Sequence, residues 1–253
     1  MITDQQLSFF KKNGFLIISK YFNHEELIEI DSMISRLSEK KHDSYVYEND
    51  GITLRSVNGP HLIDKKFEQL PKKGIIDDIR VLLDSDVYIH QYKINFKSPL
   101  GGDVWPWHSD FYFWNKEDGM LNNNALSVAI ALDDITEFNA PMFFVPGSHI
   151  EPIDDKNIIN NYEGEARDWR QTTSAKLKYE LKKEFIEDIV KRKGIFSAKA
   201  EKGAIIIFHS STLHASGLNL TPYSRRVVFL SFNDVKNKLP EINTPRPLFM
   251  ATR

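Results

Sequence analysis

The sequence contains no cysteine. That excludes disulfides, thiolate zinc sites and cysteine-ligated iron–sulfur clusters, so any metal held here takes nitrogen and oxygen ligands. An excess of charge of either sign is also missing, since 33 Lys and Arg stand against 35 Asp and Glu for a formal net charge of −2. No global field would draw such a chain to nucleic acid or to an anionic membrane, and the expected partner is a small molecule. No apolar run approaches the length of a bilayer span. The opening Met1 to Gln6 lacks the basic stretch and following apolar stretch of a signal peptide, so a cytoplasmic protein is expected. Internal repeats, low-complexity runs and a clear linker are absent as well. At 253 residues, 41% of them hydrophobic, this predicts one domain over 1–253 with a sizeable core.

What is present reads as short strands with helices gathered near the N-terminus. Thr3 with Gln6 forms a capping-box pattern, and Gly14 is placed to end the helix between them and Phe15. Phe15 to Ile18 is a strand. Asn23 with Glu26 repeats the capping pattern, and Leu27, Ile30, Ile34 and Leu37 recur at helical spacing. An exposed loop is expected from Glu39 to Gly51, a strand near Ile52 to Val57, and helical segments over His61 to Leu70 and Ile75 to Leu83. In the strand Val87 to Lys97, Gln91, Lys93, Asn95 and Lys97 point one way while Tyr88, Tyr92, Ile94 and Phe96 point the other. The polar set lines either solvent or a cavity. In Ala125 to Leu132 small residues (Ala125, Ser127, Ala129, Ala131) alternate with bulky ones, so one face permits close approach and the other packs. The polar stretch Asn115 to Asn124 is placed to cover a site. Met142 to Val145 is a strand closed by the turn Pro146 to His149, residues 150–193 read as a charged helical or irregular insertion without strand alternation, and strands return at Ile195 to Ala200, Ala204 to Phe208 and Arg225 to Phe232. The tail Lys236 to Arg253 carries Pro240, Pro245 and Pro247. A mainly β fold, a sandwich or jelly roll with helical buttresses, is the architecture this order implies.

Within that frame the run Trp107-His108-Ser109-Asp110-Phe111 is the centre of interest. A His and an Asp two positions apart share one face of a strand and can hold one metal ion. The best third ligand is His214, downstream of the apolar run Ala204 to Phe208, with His209 as its rival among eight histidines. Two histidines and one carboxylate on one face of an octahedron leave positions open, the arrangement of non-haem Fe(II) oxygenases. Arg225 adds a planar fork suited to a carboxylate. An oxygenase of that kind takes 2-oxoglutarate as two-electron reductant, chelated at its 2-oxo acid end and held at its far carboxylate by such a cation.

The same residues carry a family resemblance. Trp107 to Phe111, Trp114, Glu117-Asp118-Gly119-Met120 and Ala125-Leu126-Ser127 resemble the ectoine hydroxylase branch of the phytanoyl-CoA dioxygenase family. Val87 to Gln91, Pro146 to His149, Thr221-Pro222-Tyr223 before Arg225, and Arg246-Pro247 extend the likeness over Leu54 to Arg253. The resemblance implies a double-stranded β-helix (a cupin-like jelly roll), a requirement for Fe(II), 2-oxoglutarate and O2, and hydroxylation of an unactivated C–H bond with release of succinate and CO2. It implies His108, Asp110 and His214 as the iron ligands in preference to His209, and Arg225, Asn95 and Ser127 beside 2-oxoglutarate. Gln91, Trp114, Phe208 and Phe229 match substrate-pocket positions. Related halogenases carry a small residue at the carboxylate position, so keeping Asp110 favours hydroxylation.

The departures from that branch concern the substrate. Tyr112 and Phe113 stand where an acidic residue and a threonine are expected, Asn115 where a histidine is, and Lys93 where an arginine would meet the substrate carboxylate. Arg and Lys are not equivalent at a bidentate site. The expected substrate is therefore a small zwitterion, a free L-amino acid above all, with its carboxylate on Lys93. Ectoine itself, desaturation or cyclisation at the same centre, and a non-catalytic jelly-roll binding module are the alternatives, and a homodimer is an allowed assembly. A zinc hydrolase is disfavoured by the lack of an H-E-x-x-H motif, and phytanoyl-CoA by the lack of a basic cluster for its phosphates.

Overall fold

The computed structural model describes every residue except Glu39, Lys73 and Arg253. The first residue of the expected 39–51 loop and the last of the tail therefore lie outside the described residues. The chain opens with α1 (Asp4–Asn13), β1 (Phe15–Ile18), α2 (His24–Ser38), β2 (Tyr45–Tyr47), β3 (Leu54–Asn58), α3 (Pro60–Ile63), the 3-10 turns of Lys65–Lys72 and α4 (Ile75–Leu83). Next come β4 (Val87–Lys97), β5 (Trp105–His108), α5 (Asp110–Phe113), a π-helical turn at Trp114–Asp118, β6 (Ala125–Ala131) and β7 (Met142–Phe144). The remainder supplies β8 (Ile158–Asn160), β9 (Tyr179–Leu181), α6 (Lys183–Lys193), β10 (Phe196–Ala198), β11 (Ile205–His209), β12 (His214–Ser216) and β13 (Arg225–Asp234).

Seven strands form one sheet in the order β1-β11-β6-β13-β4-β3-β2, and four form a second in the order β10-β7-β12-β5. Every pairing is antiparallel. Strands distant in sequence become neighbours, as a double-stranded β-helix requires. The alternation in β6 decides which side is which. Leu126, Val128, Ile130 and Leu132 pack with Phe10 of α1, Leu27 and Ile30 of α2 and Ile79 of α4 in the larger apolar cluster. Ala129 and Ala131 turn to the inner face, against Phe144, Phe208 and Phe229. Fully burying one aliphatic or aromatic side chain stabilises by about 1.5–3 kcal/mol, so the helices are held on the outside of the large sheet mainly by this bulky row. No helix among the described residues is long and apolar enough to cross a membrane.

Both capping patterns form. Thr3 and Gln6 exchange bonds around the start of α1, and the Asn23 and Glu26 side chains each accept from the other's backbone N–H at 3.0 and 2.7 Å. Gly14 ends α1 with φ +78°, and its carbonyl accepts from the His209 N–H and the Thr212 hydroxyl, each at 2.8 Å. A Cβ at Gly14 would lie 2.5 Å from His149 Nδ1 and 2.6 Å from Thr212 Oγ1. Gly14→Ala combines the left-handed penalty of about 1–2 kcal/mol with overpacking of about 1–3 kcal/mol. A loss of at least about 2 kcal/mol is expected from the urea midpoint; an unchanged midpoint would show that the α1 junction relaxes freely.

Several expectations need correction. The 39–51 segment is not all exposed loop, because Ser44, Tyr45 and Val46 are buried and β2 pairs with β3. The strand of His108 stops at that residue, and Asp110 begins α5; extended Ser109 (φ −123°, ψ 130°) keeps the two side chains on one side. The 150–193 segment does contain strands, β8 and β9, paired with each other. In β4 the alternation breaks, since Ser231 pairs with Gln91 but Phe232 pairs with Ile89, leaving His90 as the extra residue of a β-bulge. Past the bulge the faces exchange. Ile89 packs with the outer cluster, and Tyr88, paired with Asn233, lies on the inner side instead of with Tyr92.

Candidate active site

The inner face is assembled by register. Across the β4–β13 ladder Arg225 pairs with Lys97, Val227 with Asn95, Phe229 with Lys93 and Ser231 with Gln91. On the other side of β13, Phe229 faces Ala129 and Ser231 faces Ser127. The small residues of β6 thus leave room where the long side chains of β4 and β13 reach inward. From the second sheet, β12 places His214 directly opposite His108 of β5. Two histidines far apart in sequence become cross-strand partners, with ring centroids 4.1 Å apart.

Asp110 completes the cluster. His108 Nε2 and His214 Nε2 each lie 3.9 Å from Asp110 Oδ1, and one ligand atom from each of the three residues falls within 4.8 Å of the others. Both imidazoles have their outer nitrogens committed: His108 Nδ1 lies 2.6 Å from the Pro106 carbonyl and His214 Nδ1 lies 2.9 Å from the Thr212 carbonyl. A carbonyl can only accept, so Nδ1 carries the proton in each ring and the Nε2 lone pair faces Asp110, which is how a protein orients imidazole ligands. Burial pushes His108 down to about 3, reinforced by His214, and burial lowers His214 too, so both rings are neutral at physiological pH. Burial tends to raise Asp110, but His214, Lys93, His108 and the Ser127 hydroxyl outweigh it and hold the carboxyl below its ordinary value. Ser127 donates to Asp110 Oδ2 at 3.2 Å, leaving Oδ1 for the cluster. Neutral imidazoles and an ionised carboxylate are the donor set a hard or borderline divalent cation needs.

Two pockets open from this cluster and share Lys93, Trp105, His108 and Asp110 as a common wall. The first, of about 420 Å³, is walled by Asn95, Met142, Phe208, Ser216, Arg225 and Phe229. At its end the Arg225 guanidinium is buried, donating from Nη2 to the Ala140 carbonyl at 2.8 Å and to Ser216 Oγ at 3.1 Å. Its Nε and the Asn95 Oδ1 have no hydrogen-bond partner, and no carboxylate pairs with the guanidinium, among the described residues. Burial lowers Arg225 to about 10, with Asp133 opposing, so it stays charged. The second pocket, of about 410 Å³, is walled by Gln91, Phe113, Trp114, Thr172, Leu177 and Arg246 among others. There the Lys93 ammonium has no hydrogen-bond or ion-pair partner among the described residues; it lies 5.3 Å from the Phe229 ring and 5.9 Å from that of Trp105. Burial lowers its pKa, Asp110 opposes this, and Arg246 and Arg55 add to it.

The profile of the family described as Phytanoyl-CoA dioxygenase (PhyH) matches residues 10–227. The chain belongs to that family. Among relatives of this phytanoyl-CoA dioxygenase-family protein, the L-proline trans-4-hydroxylase of Streptomyces griseoviridis is 30% identical over 243 residues, covering 96% of this chain and 90% of its own. The ectoine dioxygenase of Nocardia farcinica is 32% identical over 262 residues, covering 100% and 86%. The structure of EctD from S. alaskensis with 2-oxoglutarate and 5-hydroxyectoine matches with a TM-score of 0.83 at 27% identity, over 100% of this chain and 84% of that one. The same protein with bound Fe gives 0.82. With the His108–Asp110–His214 cluster, these place the chain among Fe(II)- and 2-oxoglutarate-dependent dioxygenases acting on small molecules.

The expected site residues do not all fall where the sequence put them. His108, Asp110, His214, Lys93, Asn95 and Arg225 converge on the first pocket. His209 does not join them: its Nδ1 accepts from the Ser211 N–H at 3.1 Å and its ring lies 5.3 Å from His149. Ser127 walls neither pocket and acts on Asp110 instead. Phe208 and Phe229 lie on the Arg225 side, whereas Gln91 and Trp114 line the second pocket. Gln91 is partly committed, donating to the Met250 carbonyl at 2.8 Å. The 115–124 stretch does not hang over the site as a polar loop; it opens with the π-helical turn, whose Glu117 and Asp118 are buried. Trp105, Thr172, Thr173, Leu177, Arg246 and Met250 line the second pocket without having been singled out for it. Only the Glu117-Asp118 run and Arg246-Pro247 carried a sequence signal, as family likeness without a role.

Proposed function

We propose that this enzyme hydroxylates an unactivated C–H bond of a free L-amino acid, with L-proline the first compound to test. The observation that carries the reading is the pair of pockets meeting at the cluster, each with one cation that pairs with no carboxylate among the described residues: buried Arg225 in the first and partly buried Lys93 on the wall shared with the second. His108, Asp110 and His214 would hold iron, which when bound supplies O2 activation coupled to oxidation of 2-oxoglutarate to succinate and CO2, the second oxygen atom going to the substrate. Arg225 would take the far carboxylate of 2-oxoglutarate, with Asn95 beside it. Lys93 would take the substrate carboxylate and so orient one face of the molecule to the iron. Trp105, Phe113 and Trp114 would exclude water from the reacting carbon, and Ser127 would fix the tilt of Asp110. The protein's contribution is placement in a dry site.

Phe113 and Lys93, which line the pockets, favour an amino acid over ectoine, while Tyr112 lies outside both and donates to Asp155; the ectoine dioxygenases among the relatives keep ectoine as the second reading. A cytoplasmic setting belongs to the same proposal, since 2-oxoglutarate and free amino acids are supplied there. The test is succinate release by the iron-loaded protein with 2-oxoglutarate and O2, against free L-amino acids and ectoine. L-proline, or another free amino acid, should stimulate succinate and gain one oxygen atom in mass. A gain by ectoine alone selects the second reading, and loss of two hydrogens in place of oxygen gain overturns hydroxylation. Lys93→Met should raise the KM of the amino acid by about 10- to 100-fold, the worth of one charge-assisted bond of about 1.5–3 kcal/mol. An unchanged KM would remove Lys93 from the carboxylate site.

A further inference from the structure

The second pocket contains two cations but exposes only one as free charge. Arg246, from the C-terminal tail, lies on the pocket wall. Behind it Asp118, wholly buried on the π-helical turn, accepts from its Nε at 2.8 Å and its Nη2 at 2.5 Å, a bidentate fork. Arg246 Nη1 donates to Thr172 Oγ1 at 3.2 Å. The pair therefore ties tail, π-helical turn and the 150–193 segment together at the pocket wall. His90, the extra residue of the β4 bulge, lies 3.2 Å from Asp118 through Nε2, and its ring meets Trp114 edge-on at 5.0 Å. Arg55, the other cation close by, is paired with Glu48 at 3.1 Å and stacked on Trp105 at 4.0 Å.

We propose that Asp118 determines the charge class of the substrate: by masking Arg246 it leaves Lys93 as the pocket's single uncompensated charge, so the site accepts amino acids with one carboxylate and an uncharged side chain. The inference rests on the amino-acid reading given above and deepens it. A second carboxylate finds no unpaired cation in the pocket, and a cationic side chain meets Lys93 with no free acid to receive it, since Asp118 is spent on Arg246 and Asp110 on the metal. Leaving a charge buried without a partner is costly in either case. Discrimination here comes from what the wall withholds.

The experiment compares L-proline, L-glutamate and L-ornithine as probes, reading succinate formation and product mass with the iron- and 2-oxoglutarate-loaded full chain. In the wild type, kcat/KM for L-proline should exceed that for L-glutamate and L-ornithine by at least tenfold. Asp118→Asn keeps the shape and one acceptor but unmasks Arg246, so the L-glutamate to L-proline ratio should rise at least tenfold. Asp118→Asn combined with Arg246→Met should return the ratio to the wild-type range, which a merely structural role would not do. The anaerobic Fe(II)–2-oxoglutarate absorption band reports whether each variant still assembles the centre. A wild type that turns over L-glutamate or L-ornithine as well as L-proline overturns the proposal without any variant, while leaving the hydroxylase reading intact. An unchanged ratio in an Asp118→Asn protein that shows the band also overturns it. Binding of L-proline alone, seen as a shift of the band but with no hydroxylated product, sinks the hydroxylase reading and upholds the charge rule.

Discussion

Asp110→Ala should abolish hydroxylation, with a fall in kcat of at least about a thousandfold, and should erase the absorption band that Fe(II) and 2-oxoglutarate produce together under anaerobic conditions. The size of the effect follows from charge. His108 and His214 are neutral donors, so among the described residues of the cluster Asp110 alone would bring a formal negative charge to a metal held there. It is buried, is ionised despite that burial, and has one oxygen fixed by Ser127 so that the other faces both Nε2 atoms. Removing it would leave two of the three proposed ligands and a bound divalent ion with less of its charge compensated in a low-dielectric pocket. Ser127→Ala should be far milder, because the carboxylate survives and only its tilt is loosened; loss of an outer hydrogen bond typically costs about 10- to 100-fold in metal affinity or activity. An Asp110→Ala protein with the wild-type rate and band would remove Asp110 from the metal site.

How much of this was legible beforehand depends on the kind of signal. The Thr3–Gln6 and Asn23–Glu26 caps, the alternation in β6 and the polar face of β4 at Gln91 to Lys97 are local, and each is present as read. The pairing of His214 with His108 is not local. Spacing could propose it, but only a β12–β5 ladder makes the two rings neighbours. The bulge at His90 was unreadable because β4 keeps an unbroken strand composition through it, and a single extra residue exchanges the faces of Tyr88 and Ile89. The lining of the second pocket was missed for a similar reason. Thr172, Leu177 and Met250 come from irregular segments without a period, and Arg246 reaches the wall only because Asp118 is buried to receive it. Strands β8 and β9 are each three residues long, too short for alternation to show.

Arg225→Met should raise the KM for 2-oxoglutarate by about 100- to 10,000-fold while leaving the stability of the ligand-free protein unchanged or higher. The two effects have opposite signs because the same feature produces both. Among the described residues Arg225 is a buried cation without a carboxylate partner, and its Nε has nothing to bond. Its Nη2 contacts with Ala140 and Ser216 hold the fork in place without neutralising it. Breaking a buried ion pair usually destabilises strongly, but here there is no partner to strand, and replacing an unpaired buried charge with an apolar side chain is neutral or favourable. The function pays instead, since a far carboxylate of 2-oxoglutarate would lose two charge-assisted bonds of about 1.5–3 kcal/mol each. Arg225→Lys should lie between, with a rise of about tenfold, because an ammonium keeps the charge and loses the fork. Steady-state KM for 2-oxoglutarate and urea denaturation without ligand measure the two sides separately. A variant with wild-type KM would take Arg225 out of the 2-oxoglutarate site. A large loss of ligand-free stability would mean that the guanidinium supports the β12–β13 junction through Ser216 and is not simply held in reserve for a carboxylate.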